Sequence, residues 1–450
     1  MSGKTRTLAS KSILQTTQAA GPAAAPGPSA WLARLSLSQF RCYAHAEIET
    51  DGRPVVLTGP NGAGKTNLLE AISFLAPGRG LRRARLSEID RRGAGENEVL
   101  EVMSGAALTE AALTGAALTG ATMNGARNGT WAVAATVMAP EGPRELGTGR
   151  EPAAVGVAPE ASRERRVVKI DGAFARSQQK LGEILSMTWL TPQMDGLFRE
   201  SAGGRRRFLD RLVYGFDAAH AGRVSAYEQG QRERARLLKT ATRTGGADAA
   251  WLDALEESMA QHGIAIAAAR RDLVSRLARA CAVRVGGFPV AGLALTGEVD
   301  RWLDDMAALH AEEKLREVLA AARRRDAEMG GAVIGPHRSD LAVRHQDRDM
   351  AAADCSTGEQ KALLISIILA HARLIALHRG AAPLLLLDEV AAHLDETRRD
   401  ALYDEILALG AQAWLTGTDA VVFASLGDAA QFLSVHEATI AAAPPPGRMS

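Results

Sequence analysis

Eight consecutive residues, Gly59–Thr66, have the types and spacing of a phosphate-binding loop. They read G-P-N-G-A-G-K-T, and the glycines let successive backbone N–H groups turn towards one anion. In such a loop the lysine reaches the β- and γ-phosphates of a nucleotide and the threonine hydroxyl ligates Mg²⁺. The residues predicted to bind nucleotide are Gly59, Pro60, Asn61, Gly62, Ala63, Gly64, Lys65, Thr66 and Asn67, with Thr66 also a predicted magnesium ligand.

A pair of carboxylates follows an apolar run much further along the chain. Four leucines, Leu384–Leu387, end at Asp388 and Glu389, which taken alone indicates only the end of a buried strand. Together with Lys65, the pair favours a magnesium site. In that site Asp388 lies near the ion, and Glu389 is the general base that aligns the attacking water. The cofactors implied are ATP and Mg²⁺.

A third motif, Ser356–Glu359, reads S-T-G-E and has the pattern of a helix N-cap with a capping box. Taken alone it predicts a well-formed helix start. It also lies 32 residues before Asp388, and at this spacing it resembles the signature of ABC-type ATPases. The resemblance implies that Ser356, as a catalytic residue, and Gly358 address the γ-phosphate bound by another subunit. ATP would then bridge a homodimer, and Asp395 resembles the D-loop aspartate that crosses the same interface.

The spacing of apolar residues predicts the elements that position these motifs. A strand, a glycine loop and a helix follow one another from Arg53 to Leu75, and a long helix is predicted from Gln360 to Leu377. A period-five repeat at 106–125 resembles the pentapeptide repeat. Because four copies bury little core, we interpret it as a low-complexity surface insertion. The Gly- and Pro-rich stretch 140–159 predicts a loop.

The length of 450 residues exceeds one average domain. From Arg205 to Gly330 the pattern becomes helical and rich in Arg, Glu and Ala, which predicts a helical insertion. We therefore predict an α/β fold in which an ABC-type P-loop ATPase head is split by a helical (lever-arm) subdomain. The predicted divisions are a disordered leader at 1–30, the first half of the head at 31–200 with the repeat insertion at 104–130, the helical arm at 201–330, the second half of the head at 331–440 and a tail at 441–450.

Charge and composition narrow the classes of function. Fifty-three basic and 52 acidic side chains give a net charge of +1, which excludes a polybasic nucleic-acid coat but not a local basic face. Only 4% of residues are aromatic, so binding of single strands mainly by base stacking is not expected. Arginine runs also occur at 163–166, 205–207 and 323–325, and any single run fits a solvated surface equally well. The residues predicted to contact DNA are Arg82, Arg83, Arg85, Arg91 and Arg92.

Cysteine usage and hydropathy bear on the compartment. Three widely separated cysteines predict neither a disulfide framework nor a zinc site. No run of about 18 apolar residues predicts a transmembrane helix. We therefore expect a cytoplasmic, nucleoid-associated protein with no membrane partner.

Several stretches together resemble the RecF family of bacterial recombination mediator ATPases. The likeness runs from about Trp31 to about Val435, interrupted by the repeat insertion. Ser356 lies 291 positions after Lys65, whereas the corresponding gap in ABC transporter ATPases is only about a third of that. The longer gap resembles an ATPase head split by a helical insertion, as in the SMC, Rad50 and RecF group. The matching stretches are Phe40–Tyr43, Lys65–Ile72, Trp189–Pro192, Arg205–Asp210, Gly335–Leu341 and Leu386–Asp395, of which the last two are the most specific.

Some positions depart from that pattern or leave two roles open. Gln193 stands where the family favours an acidic residue, and it resembles a Q-loop glutamine that contacts magnesium and the attacking water. No histidine occupies the switch position, which leaves Thr416 or Thr418 to contact the γ-phosphate and implies slow hydrolysis. Arg41 and the pair His337–Arg338 either contact nucleotide or position the head.

The resemblance implies an ATP-dependent DNA-binding clamp in recombinational repair and replication restart. Such a protein is a weak, DNA-stimulated ATPase that binds single- and double-stranded DNA through the phosphate backbone at gaps or junctions, as an ATP-bridged dimer. It helps to load the RecA recombinase, with RecR and RecO as partners. The alternative is a divergent ABC ATPase of an overcoming-lysogenization-type nuclease or defence system, which requires a catalytic domain that the sequence does not indicate.

Overall fold

The computed structural model describes residues 30–91, 130–151, 164–244, 248–392 and 394–447. Several sequence predictions fall on other parts of the chain. The leader up to residue 29, the repeat insertion up to residue 129, Arg92 and the last three residues of the tail lie outside the described residues.

The described elements are fifteen strands and ten α-helices. In chain order the strands are β1 (Trp31–Phe40), β2 (Tyr43–Glu49), β3 (Val55–Thr58), β4 (Ala132–Ala139), β5 (Gly142–Arg150), β6 (Arg166–Ile170), β7 (Ala173–Phe174), β8 (Met187–Leu190), β9 (Ala291–Thr296), β10 (Asp340–His345), β11 (Met350–Ala351), β12 (Leu384–Leu387), β13 (Ala413–Gly417), β14 (Gln431–His436) and β15 (Thr439–Ala443). The helices are α1 (Lys65–Ser73), α2 (Gln179–Ile184), α3 (Ala202–Tyr214), α4 (His220–Thr244), α5 (Ala249–Cys281), α6 (Glu298–Asp305), α7 (Ala308–Ala321), α8 (Arg323–Met329), α9 (Thr357–Arg379) and α10 (Glu396–Leu409).

The main sheet carries the predicted motifs. Its order is β15-β14-β3-β13-β12-β8, and all of its pairs are parallel except β14 with β15. Strand β12 lies between β13 and β8 with all four leucines buried, as expected for a parallel strand covered on both faces. Leu387 aligns with Leu415 on one side and Leu190 on the other. The carboxyl ends of β3, β8, β12 and β13 therefore meet at one edge, where ligands of such sheets bind.

An antiparallel sheet packs beside the main sheet, in the order β2-β1-β4-β5-β6-β7. A shared apolar core with α1 joins the two sheets, and Leu35, Phe40, Ile72 and Trp414 belong to it. The prediction of a loop over 140–159 is wrong for Gly142–Arg150, because these residues form β5 between β4 and β6. Pairing on both sides outweighs the low strand propensity of its glycines.

The segment 201–330 is mainly helical, with its own core around Tyr227, Met259, Ile264 and Leu315. It also contains β9, which the sequence analysis did not predict. Strand β9 pairs antiparallel with β10, and β11 completes a three-stranded sheet. The predicted boundary at residue 330 therefore separates two strands that are neighbours in space, while the domain divisions remain predictions.

Helix α9 crosses the core beneath the main sheet. It extends the predicted helix at both ends, and Ser356 caps it with the predicted capping box. By length and composition the helix could span a membrane, but 72% of its most apolar 18-residue stretch is buried inside the protein. That is the environment of a core helix, since it already packs against α5 and β8.

Candidate nucleotide site

The loop between β3 and α1 has a backbone that requires glycine at specific positions. Gly59 has φ +149°, and a Cβ there would lie 2.1 Å from the carbonyl oxygen of Val435. Gly64 has φ +116°, and a Cβ there would lie 2.7 Å from the Tyr43 hydroxyl. Only glycine fits both places. The predicted strand, loop and helix are confirmed, and the loop leads directly into the N-terminus of α1.

Lys65 lies folded back over this loop. Its Nζ donates hydrogen bonds to the carbonyl oxygens of Gly59 at 2.6 Å and Pro60 at 2.9 Å. Burial lowers the pKa of its ammonium, while Glu389 and Asp388 act in the opposite direction. The charge is therefore held by neutral carbonyls and not by a carboxylate in contact. A nucleotide phosphate can replace those carbonyls at little cost in charge pairing.

Asp388 lies at the end of β12 between two threonine hydroxyls. Thr66 Oγ1 donates to its Oδ1 at 3.1 Å and Thr416 Oγ1 donates to the same oxygen at 2.8 Å. Burial raises the pKa of this carboxyl above its usual value. The convergence of Thr66 and Asp388, which are 322 residues apart, is what the two motifs predicted.

The donor set of this site fits Mg²⁺. A hydroxyl and a carboxylate are hard oxygen ligands, and Mg²⁺ in nucleotide sites takes one or two protein ligands and completes its shell with phosphates and water. Among the described residues no group of three His, Cys, Asp or Glu side chains is placed to hold a metal. Thr66 and Asp388 are thus the residues that would hold the ion.

Glu389 follows Asp388 with an unusual backbone. Its φ is +49°, a conformation that costs a non-glycine residue of order 1–3 kcal/mol and that clusters at functional sites. Two contacts maintain it: the N–H of Glu389 donates to Thr416 Oγ1 at 2.8 Å, and its carbonyl accepts from Lys361 Nζ at 2.9 Å. The side chain is partly exposed and close enough to Lys65 to influence its pKa. The base role remains a prediction.

Two residues that position Glu389 were not predicted in that role. Thr416 was one of two candidates for contacting the γ-phosphate. Its side chain is fully buried and bonded to Asp388 and to the Glu389 N–H. Thr418, the other candidate, is exposed, and a phosphate contact of either residue remains a prediction. Lys361 is buried in the second turn of α9, and its Nζ also donates to the carbonyl of Ala392 at 2.9 Å. A lysine within an otherwise apolar helix was the available signal.

The signature segment, Ser356–Glu359, presents a different surface. Ser356 is exposed, and its backbone N–H and hydroxyl donate to Glu359 Oε2 at 3.0 and 2.9 Å. A Cβ at Gly358 would meet no atom within 4 Å. Asp395 is exposed and caps α10 by accepting from the Arg398 N–H at 2.8 Å. Within the described part of the chain, no hydrogen bond or ion pair joins this segment to the P-loop or Asp388.

Comparison with known proteins places the chain in a family. A family model described as AAA domain matches residues 34–101. The chain is similar to a DNA replication and repair protein RecF of Allorhizobium ampelinum, at 48% identity over 406 residues covering 90% of this chain and 96% of the relative. A RecF of the same description from Rhizobium etli is 44% identical over 411 residues, covering 91% and 98%. The chain belongs to the RecF family.

Solved structures agree on the fold. A structure described as the recombination mediator protein RecF–ATPrS in the RecFOR pathway aligns with a TM-score of 0.72 at 18% identity, covering 93% of this chain and 99% of that one. A structure described as RecF–ATP in the same pathway gives 0.70 at 19% identity, covering 92% and 99%. The predicted RecF resemblance and the predicted fold class are confirmed. Family membership removes the overcoming-lysogenization-type alternative.

In this RecF-family chain, Arg41 positions the nucleotide helix. Its guanidinium donates to both carboxylate oxygens of Glu70 at 2.9 and 2.8 Å, and Glu70 is a fully buried residue of α1. Arg82, predicted to contact DNA, donates to Asn67 at 2.8 Å and to Glu70 at 3.3 Å. Of the two roles left open for Arg41, the structure favours positioning, and Arg82 links the same helix to the loop after it.

The remaining predicted residues lie in distinct environments. Gln193 is exposed in a short turn after β8. The last residue of β8, Leu190, accepts a hydrogen bond from the Asp388 N–H through its carbonyl oxygen. A ligand role for Gln193 remains a prediction. His337 accepts or donates at 2.8 Å with the Tyr227 hydroxyl, and burial lowers its pKa to about 4. A neutral, half-buried ring suits positioning of the arm.

Proposed function

We propose that this protein is an ATP-dependent DNA-binding clamp of recombinational repair and replication restart. The observation that carries the proposal is that the residues predicted to act on ATP lie in two separate places. The P-loop, Asp388 and Glu389 are assembled at one sheet edge, while the signature segment is exposed, and among the described residues no hydrogen bond or ion pair joins it to any of them. Its family relatives are described as DNA replication and repair proteins, which supports the biological setting.

In the proposed dimer, ATP bound by one subunit is completed by the signature segment of its partner. Lys65 exchanges the Gly59 and Pro60 carbonyls for β- and γ-phosphate oxygens. The Ser356 hydroxyl and Gly358 N–H of the partner, at the N-terminus of α9, then approach the γ-phosphate from the other side. Asp395 lies at the same interface. Dimerisation is therefore linked to ATP, because each ligand-binding surface is incomplete alone.

Hydrolysis in this arrangement depends on the pre-set backbone of Glu389. The carboxylate orients and deprotonates the attacking water, and Mg²⁺, when bound at Thr66 and Asp388, neutralises charge on the phosphates. With Thr418 in place of a switch histidine, we propose slow turnover that DNA stimulates. ATP then acts mainly as a timed bridge, and hydrolysis releases the DNA.

The same proposal names the partners. We expect binding to single- and double-stranded DNA through phosphates, at gaps or junctions, in the cytoplasm at the nucleoid. The RecFOR pathway named for the structural neighbours supports RecR and RecO as partners, and loading of RecA as the outcome.

Sedimentation of the full chain with and without ATP and gapped duplex tests the proposal. Wild type is expected to dimerise and bind DNA only with ATP. Lys65→Ala is expected to lose both, and Ser356→Arg to bind ATP as a monomer. Ser425→Arg, which places the same charge at another exposed serine, is the control and is expected to match wild type. ATP-independent dimers or DNA binding of equal strength would contradict the proposal.

A further inference from the structure

A large cleft separates the antiparallel sheet from the helical arm. Its walls are the loop 77–83 after α1, the β6–β7 hairpin, the turn after β8 and the helices α3 and α4. Its volume is about 1370 Å³, above the roughly 300–1,000 Å³ typical of small-molecule sites. The P-loop glycines and Lys65 are not among its lining residues. The cleft is therefore distinct from the P-loop, although the predicted magnesium ligand Gln193 lines it, and it has room for part of a polymer.

The lining of this cleft is rich in arginine. Eight arginines and five acidic residues line it, and one of the acids, Asp210, is already held by Arg270 and His220. Six of the arginines are exposed, and in four of these no ion pair or hydrogen bond to another described residue involves the guanidinium group. These are Arg79, Arg83, Arg176 and Arg207. Unpaired guanidinium groups from three separate elements, converging on one cleft, are what phosphate binding requires.

Arg83 lies close enough to Arg79 and Arg207 for their charges to affect its pKa. Partial burial lowers the pKa of its guanidinium first, and the like charges of Arg207 and Arg79 lower it further. Arg83 also has φ +58°, the left-handed region that bulky residues seldom occupy. The charges of Arg79 and Arg207 thus disfavour that of Arg83, while Glu228 acts in the opposite direction, and an anion bound among the arginines would favour all three charges.

A buried arginine fixes the loop that carries Arg79 and Arg83. Arg166 is 8% exposed, and its guanidinium donates to the carbonyl oxygens of Phe74, Ala76 and Gly78. No carboxylate contacts it within the described residues, and its other acceptors are the Thr148 hydroxyl and the Gln178 side chain, so Arg166 ties the loop to β5 and to the segment before α2. The arrangement of the cleft wall is therefore built in advance of any ligand.

One aromatic side chain stands at the rim. Phe174, at the tip of the β6–β7 hairpin, is 70% exposed and lines the cleft. The Nζ of Lys169 lies 4.6 Å from its ring centroid. An exposed ring beside cations, next to arginines that can hold phosphates, is the combination that holds single-stranded nucleic acid.

We propose that this cleft binds a short single-stranded segment of DNA, with its phosphates on Arg79, Arg83 and Arg207 and one base stacked on Phe174. A duplex offers no free base face, whereas an unpaired strand does. The inference rests on the proposed function and deepens it, because it assigns the single-stranded part of a gap to a particular place.

Fluorescence anisotropy with a labelled deoxythymidine oligomer tests the proposal on the full chain. Phe174→Ala is expected to weaken binding roughly tenfold. The double variant Arg83→Ala/Arg207→Ala is expected to reduce the slope of log K against log salt by about 1.4, the value for two single-strand phosphates. Leu309→Ala and Arg324→Ala, which remove an equally exposed leucine and an arginine that is 95% exposed on the arm, are the controls and are expected to match wild type.

Further binding measurements distinguish base stacking from phosphate contact, DNA from an acidic peptide, and the cleft from the clamp. An abasic oligomer is expected to bind wild type and Phe174→Ala equally. Displacement of the oligomer by polyglutamate as effectively as by unlabelled DNA would overturn the proposal in favour of an acidic peptide. If ATP-dependent binding of gapped duplex is intact but both cleft variants bind the oligomer like their controls, this inference fails and the clamp stands. If wild type shows no ATP-dependent binding while the cleft variants still lose affinity, the clamp fails and the cleft stands.

Discussion

The P-loop region and the signature segment differ in how much of their chemistry is satisfied within one chain. Around Asp388, hydroxyls from two distant elements converge on a single oxygen, and the backbone of Glu389 is held on both sides. In the part of the chain that the structure describes, the only partner of the Ser356 hydroxyl is the capping Glu359, and no atom lies within 4 Å of a Cβ placed at Gly358. The side chains of the P-loop region are therefore already held in place by contacts within the chain, whereas the signature segment presents donors that are available to a ligand. The proposed site shared between two chains accounts for both.

The largest effect is expected from Glu389→Gln. Loss of the general base should lower ATP turnover about 100-fold or more, while ATP binding and the ATP-bridged dimer persist. Single-turnover phosphate release and sedimentation measure the two. Glu257→Gln, at an exposed arm position, should leave both unchanged. Turnover of Glu389→Gln close to wild type would show that the P-loop region is not the hydrolytic half.

Thr416→Val tests whether the P-loop region is braced from within. The substitution removes the donor to Asp388 and leaves the Glu389 N–H buried without an acceptor, which should lower the free energy of unfolding by about 1–3 kcal/mol. Urea denaturation measures it. Thr58→Val on the neighbouring β3, where the hydroxyl makes only a 3.5 Å contact, should cost less. An equal loss in both variants would mean that the brace around Asp388 adds nothing.

The far end of α9 allows a pH test of how firmly the signature helix is anchored. His371 is buried between the Thr188 hydroxyl and the Leu212 carbonyl, and burial lowers its pKa from 6.5 to about 4. Between pH 6.5 and about pH 4, His371 is therefore protonated in the unfolded chain but neutral in the folded chain. The contribution of His371 to the free energy of unfolding should therefore fall by about 2 kcal/mol between pH 7 and pH 5, and His337, whose pKa burial also lowers to about 4, should add to the total fall. His371→Gln should flatten this dependence, and an unchanged slope would show that the ring is not locked.

The smallest effect concerns Lys361, which connects the two regions. Lys361→Met keeps the length of the side chain but removes the donor to the Glu389 and Ala392 carbonyls. We expect kcat to fall about tenfold through misplacement of Glu389, with KM for ATP nearly unchanged. Steady-state kinetics separate the two parameters. A change in KM alone would assign Lys361 to nucleotide binding, not to positioning.

Local motifs made the P-loop region predictable. Gly59–Thr66 and the run ending at Glu389 each specify strand, turn and ligand type within a few residues, so the approach of Thr66 to Asp388 followed from the fold class. The capping box at Ser356 was predictable for the same reason, since Glu359 lies only three residues away. Contacts of this kind require no knowledge of the distant chain.

Contacts between distant segments were not predictable in the same way. Thr416 supports Glu389 because parallel pairing aligns β13 with β12, and nothing in the threonine itself reports that register. Strand β9 has small residues and forms only because β10, beyond the arm, pairs with it. The cleft likewise combines Arg207 of α3 with Phe174 of a hairpin, whose meeting depends on how the arm packs on the head.

Mixing two inactive variants tests most directly whether the two regions complete each other across a dimer. Lys65→Ala lacks a working P-loop but keeps its signature segment, and Ser356→Arg has the reverse defect. Each alone is expected to show no ATP turnover above background. Their mixture should regain turnover, because one shared site joins the intact P-loop of one chain to the intact signature of the other. A mixture no more active than its components, or full activity of Ser356→Arg alone, would contradict a shared site.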